Sequence, residues 1–265
     1  MPLPNIFIDI ETAPIYNSSE EFQSIQKKID EGTITSDHRD YAIKQQYWKH
    51  ARGGLNPLEG KIIMITYQVN DNRPWRLAEW KSSEKTILKE LYDVISLHKG
   101  NQDDPLNIIG FNITNFDLPF LYYRSQETQI ENGFHGYDPL WLYKYFHAPT
   151  IQDILQIHLP LNNWSRYGLN HNAVAMAYDL PTKEERGDVN AGYYYNQEFD
   201  KILKYTEDEF IYPQLYQKMK RRMVTKEKLQ ECVKFFQEKY AAERNETHFQ
   251  KESLSNAETK PVEKN

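Results

Sequence analysis

The chain has 265 residues, 39% of them hydrophobic and 26% charged, with a formal net charge of −6. That length supports one sizeable core, and the balance is that of a globular body, which excludes a wholly disordered or fibrous chain. The negative charge excludes a protein that coats nucleic acid through bulk positive charge, although a cleft admitting one strand end needs only local charge.

No apolar run reaches the roughly 20 residues that a helical membrane span needs. The apolar start lacks a basic leader and carries Asp9 and Glu11 within it, and the lone Cys232 cannot form an intramolecular disulfide. The expectation is a cytoplasmic protein with no membrane segment.

The first element, Asn5 to Ile10 (NIFIDI), is a short apolar run that predicts a buried central strand stopped near Pro14. Residues 18–57 turn polar and helix-forming, which predicts a helical insertion closed by Gly53, Gly54, Asn56 and Pro57. Strand patterns return at Lys61 to Val69 and Trp75 to Trp80 around a turn cluster, predicting an antiparallel hairpin. Ser82 or Ser83 then caps a helix to about Leu97. An apolar run from Leu106 to Phe111 leads into a helix that starts near Phe116 or Asp117.

A further strand is expected near Thr150 to Leu155, and helices at Leu169 to Tyr178 and Gln197 to Tyr212. A basic C-terminal helix over about 214–244 precedes a polar stretch, 245–265, expected to be disordered. The order of elements predicts an α/β chain, a mixed sheet of about five strands covered by helices on both faces, forming one domain over 1–244.

Asp9 and Glu11 lie two apart on the first strand, so their side chains leave the same face and can converge on one cation. Burying two like charges among Ile6, Phe7, Ile8 and Ile10 is costly unless a cation or a proton neutralises them. Asp117 stands where an apolar strand stops and a helix starts, a place where Asp is also a common helix cap. The eight histidines show no zinc-like pairing, and no Gly-rich phosphate loop is present.

The segments Phe-Ile-Asp9-Ile-Glu11-Thr12 and Gly-Phe-Asn112-x3-Phe116-Asp117-x-Pro-x-Leu resemble the first two exonuclease motifs of the DEDD superfamily, which has the ribonuclease H-like fold. More narrowly, they resemble predicted exonucleases related to the proofreading domain of B-family DNA polymerases. The third motif of the tyrosine branch is Tyr-x3-Asp, and Tyr205 is its candidate. Strict register from Tyr205 gives Glu209, whereas counting back from Leu215 and Tyr216 gives Asp208, the preferred expectation. Either acid falls on the Tyr205 face of a helix. Pro213 is placed to kink or end that helix just after the motif.

The resemblance implies a 3′-to-5′ exonuclease that hydrolyses single-stranded nucleic-acid ends, DNA rather than RNA, in repair or replication. It implies two Mg2+ or Mn2+ ions held by Asp9, Glu11, Asp117 and Asp208, with Glu209 as the alternative to Asp208. Tyr205 would orient or deprotonate the attacking water, and Thr12, Asn112, Phe116, Arg166 and Lys183 would lie along the strand. The basic stretch containing Lys218 and Lys228 is either a further strand contact or a solvated helix face. The competing implication is a degenerate relative that binds nucleic acid without cleaving it.

Overall fold

The computed structural model describes residues 4–16, 18–31, 33, 52–99, 106–130, 151–183 and 189–258. Five strands, β1 (Asn5–Pro14), β2 (Gly60–Val69), β3 (Trp75–Ala78), β4 (Asn107–Gly110) and β5 (Ile151–Asp153), form one sheet in the order β3-β2-β1-β4-β5. β1 pairs antiparallel with β2 and parallel with β4; β2 and β3 form the expected hairpin, and β5 is parallel to β4. The expected strand at Trp75 to Trp80 stops at Ala78, where Glu79–Lys81 forms a 3-10 turn.

Period-two alternation on β1 divides the molecule. Ile6, Ile8 and Ile10 enter a core with Ile87, Leu88 and Leu91, and with Leu118, Phe120 and Leu121. Phe7 enters a separate core with Ile154, Val174, Leu215 and Phe236 on the opposite face. Helices therefore cover both faces, and the chain is an α/β protein with the mixed five-stranded sheet of a ribonuclease H-like fold. Where Glu11 and Thr12 pair with Met64 and Ile62, the register skips Ile63. This bulge returns Ile62 to the face of Ile65, while Ile63 and Met64 join Ala13 and Ile202 in a third, smaller core.

Among the described residues the helices are α1 (Ser19–Asp30), α2 (Glu84–Lys99), α3 (Asp117–Glu127), α4 (Ile154–His158), α5 (His171–Ala177), α6 (Asn190–Tyr195), α7 (Phe199–Glu209), α8 (Tyr212–Arg221) and α9 (Lys226–Glu258). Ser18 caps α1, and Ser83 caps α2 by accepting from the Thr86 amide at 3.1 Å. Helix α1 meets the start of the insertion expected at 18–57, whose residues 34–51 lie outside the described residues. The short helix α6 had no periodic signal strong enough to predict it.

The single C-terminal helix expected over about 214–244 is two. Arg222 adopts φ −161° and ψ 122°, an extended conformation that separates α8 from α9. Helical backbone in α9 then continues past 244 to Glu258, into the stretch read as a disordered tail.

Two devices fix the loop between β4 and α3. Gly110 sits so close to β1 that an added Cβ would lie 2.7 Å from the carbonyl oxygen of Ile8. Asp153, at the end of β5, accepts hydrogen bonds from the amides of Asn112 and Thr114 at 3.0 and 3.1 Å, and from the Thr114 hydroxyl at 2.5 Å. The same carboxylate caps α4 through the amides of Leu155 and Gln156. Asn112 itself is held at φ 59°. Replacing Asp153 with Ala leaves several of these donors without a partner, and we expect a loss of about 3 kcal/mol or more, read by urea unfolding.

Candidate metal centre

Asp9 and Glu11 share the β1 face that Phe7 occupies, so they extend toward α7 and α8 rather than into the isoleucine core. Strand β4 pairs with β1 only as far as Phe7 and Ile109. Beyond that end, the Ile10 amide donates to Oδ1 of Asp117 at 3.0 Å, a buried bond between residues 107 apart in sequence. Asp117 is thus the first residue of α3 and not its cap, since the cap position is Phe116 and supplies no side-chain bond. One oxygen of its carboxylate holds the β1 edge beside Asp9.

The third acid is Glu209. Helix α7 buries Ile202, Tyr205, Thr206 and Glu209, a stripe at helical spacing, and Asp208 lies off that stripe, exposed to solvent. The structure thus brings the alternative Glu209, and not the preferred Asp208, to Asp9 and Glu11: an acid three residues beyond Tyr205 would share its face in an isolated helix, but the buried stripe passes through position four. Carboxylate oxygens of Asp9, Glu11 and Glu209 all lie within 4.8 Å of one another, a group able to hold a metal ion.

Helix α7 ends directly at Glu209, with Phe210 at φ −78° and ψ 66°, and Pro213 sits in the first turn of α8. The break expected from the proline is present, and it swings Tyr212 back so that its hydroxyl donates to Oδ1 of Asp9 at 2.9 Å. Asn190, the first residue of α6, donates to Oε2 of Glu11 at 2.7 Å. Lys183 donates to the Tyr205 hydroxyl at 2.7 Å and to Oε1 of Glu209. The Lys183 backbone is fixed in turn by two 3.0 Å bonds with the Asn172 side chain.

These contacts set the electrostatics. Burial, then the Glu209 charge, pushes the Asp9 carboxyl from 3.8 up to about 8, against the Tyr212 hydrogen bond. Burial followed by Glu209 and Asp9 holds Glu11 well above the carboxylate range, and burial followed by Asp9 does the same for Asp117. Burial would also raise Glu209, but the charges of Lys183 and His171 outweigh it and bring this acid below its ordinary value. Tyr205 is driven well above the phenol range, by burial first and by Glu209 and Glu11 next.

One cavity of about 360 Å³ is lined by Asp9, Glu11, Thr12, Asn112, Phe116, Asp117, Lys183, Tyr205 and Glu209, so most residues expected along the strand meet there. Phe116 also packs on Phe120, with ring centroids 5.4 Å apart. Arg166 does not line the cavity and is exposed. Lys218 donates to the Tyr178 carbonyl at 2.7 Å, and Lys228 pairs with Asp179 at 2.9 Å, so both brace the end of α5. Sequence reading missed Tyr212, Asn190 and His171. The first two depend on a helix break and an unpredicted helix; the only prior signal for His171 was its place in a helix between Arg166 and Lys183, both expected along the strand.

No family model matches the chain, and no curated protein sequence does. Among solved structures it is similar to the family B DNA polymerase from the hyperthermophilic archaeon Pyrobaculum calidifontis. The identity is 15% and the TM-score 0.45, over 79% of this chain and 23% of that one, so the chain spans under a quarter of the polymerase. A likeness this shallow leaves activity to be read from the site's own chemistry.

Asp9, Glu11 and Asp117 bind protons more tightly folded than unfolded, so without metal they stabilise the fold at low pH and lose that effect as pH rises, for Asp9 between about 4 and 8. Glu209 runs the opposite way, one group against three. Thermal unfolding in chelator should therefore show stability falling from pH 5 to pH 8. Mn2+ at a hundred times its dissociation constant should restore about 2.7 kcal/mol, roughly 5 to 10 °C, and do so more at pH 8 than at pH 5. A melting temperature blind to Mn2+ at both pH values would rule out the cation site.

Proposed function

We propose that this chain is a metal-dependent 3′-to-5′ exonuclease of the DEDD type, acting on single-stranded nucleic-acid ends, DNA in preference to RNA. The observation that carries the reading is the meeting of Asp9, Glu11 and Glu209, with carboxylate oxygens within 4.8 Å, in a cavity shared with Asp117, Tyr205 and Lys183. We assign the activity to one domain over residues 1–244, working in the cytoplasm.

The donor set fits a hard cation. Every candidate ligand is a carboxylate oxygen, and no thiolate lines the cavity, which favours Mg2+ or Mn2+ over zinc or copper. In this reading Asp9, Glu11 and Glu209 would hold one ion, and Asp9 with Asp117 would serve a second. Paired divalent cations supply an acidified water and offset charge on the attacking and leaving oxygens of a phosphodiester.

The remaining residues bind and orient. Tyr205, kept neutral by its raised pKa, acts as a hydrogen-bond donor that positions the attacking water, and not as the base that deprotonates it. Lys183 is held beside Tyr205 and Glu209 by Asn172, where its ammonium can meet a phosphate oxygen of the bound strand. Thr12, Asn112 and Phe116 form the wall for the terminal nucleotide. Glu209 supplies the third carboxylate that a decayed, binding-only relative would lack, which favours hydrolysis over a scaffold role.

The test is release of mononucleotides from a 3′-labelled single strand in Mn2+. Asp9→Asn, Asp117→Asn and Glu209→Gln should each lower turnover by about a hundredfold or more, the scale of losing one charge-stabilising group in an active site. Asp208→Ala should keep near-normal turnover. Full activity in Glu209→Gln, or loss in Asp208→Ala alone, would reverse the assignment of the third acid; full activity in Asp9→Asn would sink the site.

A further inference from the structure

Between the turn at Leu159–Asn162 and helix α5 runs a short loop, residues 163–168, that displays Trp164, Arg166 and Tyr167. Trp164 is 74% exposed and Tyr167 75% exposed, the former more than any other tryptophan among the described residues. Asn163 and Trp164 both take left-handed backbone, at φ 52° and 61°. For a residue as bulky as Trp this conformation costs about 1 to 2 kcal/mol, and a ring left in water recovers little of it. Folding alone gives no reason for a tryptophan there.

The loop is nonetheless held firmly. The Trp164 amide donates to the Leu159 carbonyl at 2.8 Å, and the Asn162 side chain donates to the Ser165 carbonyl at 2.6 Å. The Tyr167 amide donates to the Ser165 hydroxyl at 3.1 Å, and Gln237 of α9 donates to the Tyr167 carbonyl at 3.3 Å. Rings presented on a fixed backbone lose little freedom when something stacks on them.

Its position relates it to the metal centre. Two residues after Tyr167 begins the run Leu169 to Asn172, which lines the cavity, so the span from Tyr167 is at most about 7 Å of chain. Gln237 lies one helical turn before Tyr240, which lines the cavity from α9. Locally the charge also differs from that of the whole chain, because no acidic residue occurs between Asp153 and Asp179 while Arg166 is exposed.

We propose that this loop is a stacking platform for unpaired bases of the strand whose end enters the cavity, with Arg166 meeting its phosphates. Every base has a π-face, so Trp164 and Tyr167 would grip single strands of any sequence. Bases within a duplex have both faces covered by neighbours, so the platform also selects for single-stranded ends. The proposal rests on the exonuclease reading for the identity of the strand.

Binding of a fluorescent long oligothymidylate, measured by anisotropy in chelator, separates the platform from hydrolysis. Trp164→Ala and Tyr167→Ala should each weaken it roughly 5- to 150-fold, the alanine-substitution effect of a lost base stack, while Trp164→Phe keeps most of the affinity. In Mn2+, the advantage in kcat/KM of the long strand over a dinucleotide should shrink in the double alanine variant through KM. Equal affinities in wild type and double variant, or no measurable binding by wild type, would overturn the platform. A wild type that binds the strand but releases no nucleotides would instead overturn the exonuclease reading and leave the platform standing.

Discussion

Three carboxylates forced together away from water are the constraint around which this molecule is arranged. Each buried charge carries an effective desolvation penalty of several kcal/mol, and close like charges add to it. Around Asp9, Glu11 and Glu209 the fold places Tyr212, Asn190 and Lys183, each donating to a different acid. The match is incomplete, which is why Asp9 and Glu11 favour their protonated forms while Glu209, beside Lys183, stays ionised. A group of this kind could hold an added cation, whose positive charge would stabilise all three acids as carboxylates.

The sheet builds the space for that charge. The β4 pairing with β1 stops before Asp9, so the β1 edge is open where the acids stand, and Asp117 takes up the buried Ile10 amide from the start of α3. Asp153 then ties the β4–α3 loop to β5 and α4. The cavity thus lies beyond the carboxyl ends of β4 and β5, where parallel strands hand the chain to helices. Loops there are free to carry chemistry because the strands beneath them are rigid.

On the function proposed above, a chain of net charge −6 with an acidic cavity would attract its polyanion by local means. Two of its basic side chains, Lys218 and Lys228, instead brace the end of α5. Lys183 lines the cavity itself, and Arg166 with two exposed rings sits on the loop that leads into the lining run Leu169 to Asn172. Stacking depends less on salt than charge pairing does, so the proposed platform would suit a chain whose overall field opposes a nucleic acid.

Much of this was legible along the sequence. Alternation on β1 put Asp9 and Glu11 on one face, the strand-to-helix junction marked Asp117, and Pro213 announced the break after α7, because each rests on local periodicity or on one residue's backbone limits. Asp208 and Glu209 could not be separated that way, since both lie one turn beyond Tyr205. The choice was made by packing of Ile202 and Thr206 against neighbouring elements, which rotates α7 until Glu209 points inward. Tyr212, Asn190 and His171 likewise became site residues only once distant segments met. Local sequence sets which way a side chain leaves its own strand or helix; the rotation of one element against another is fixed by contacts between residues far apart in the chain, and the third acid was decided there.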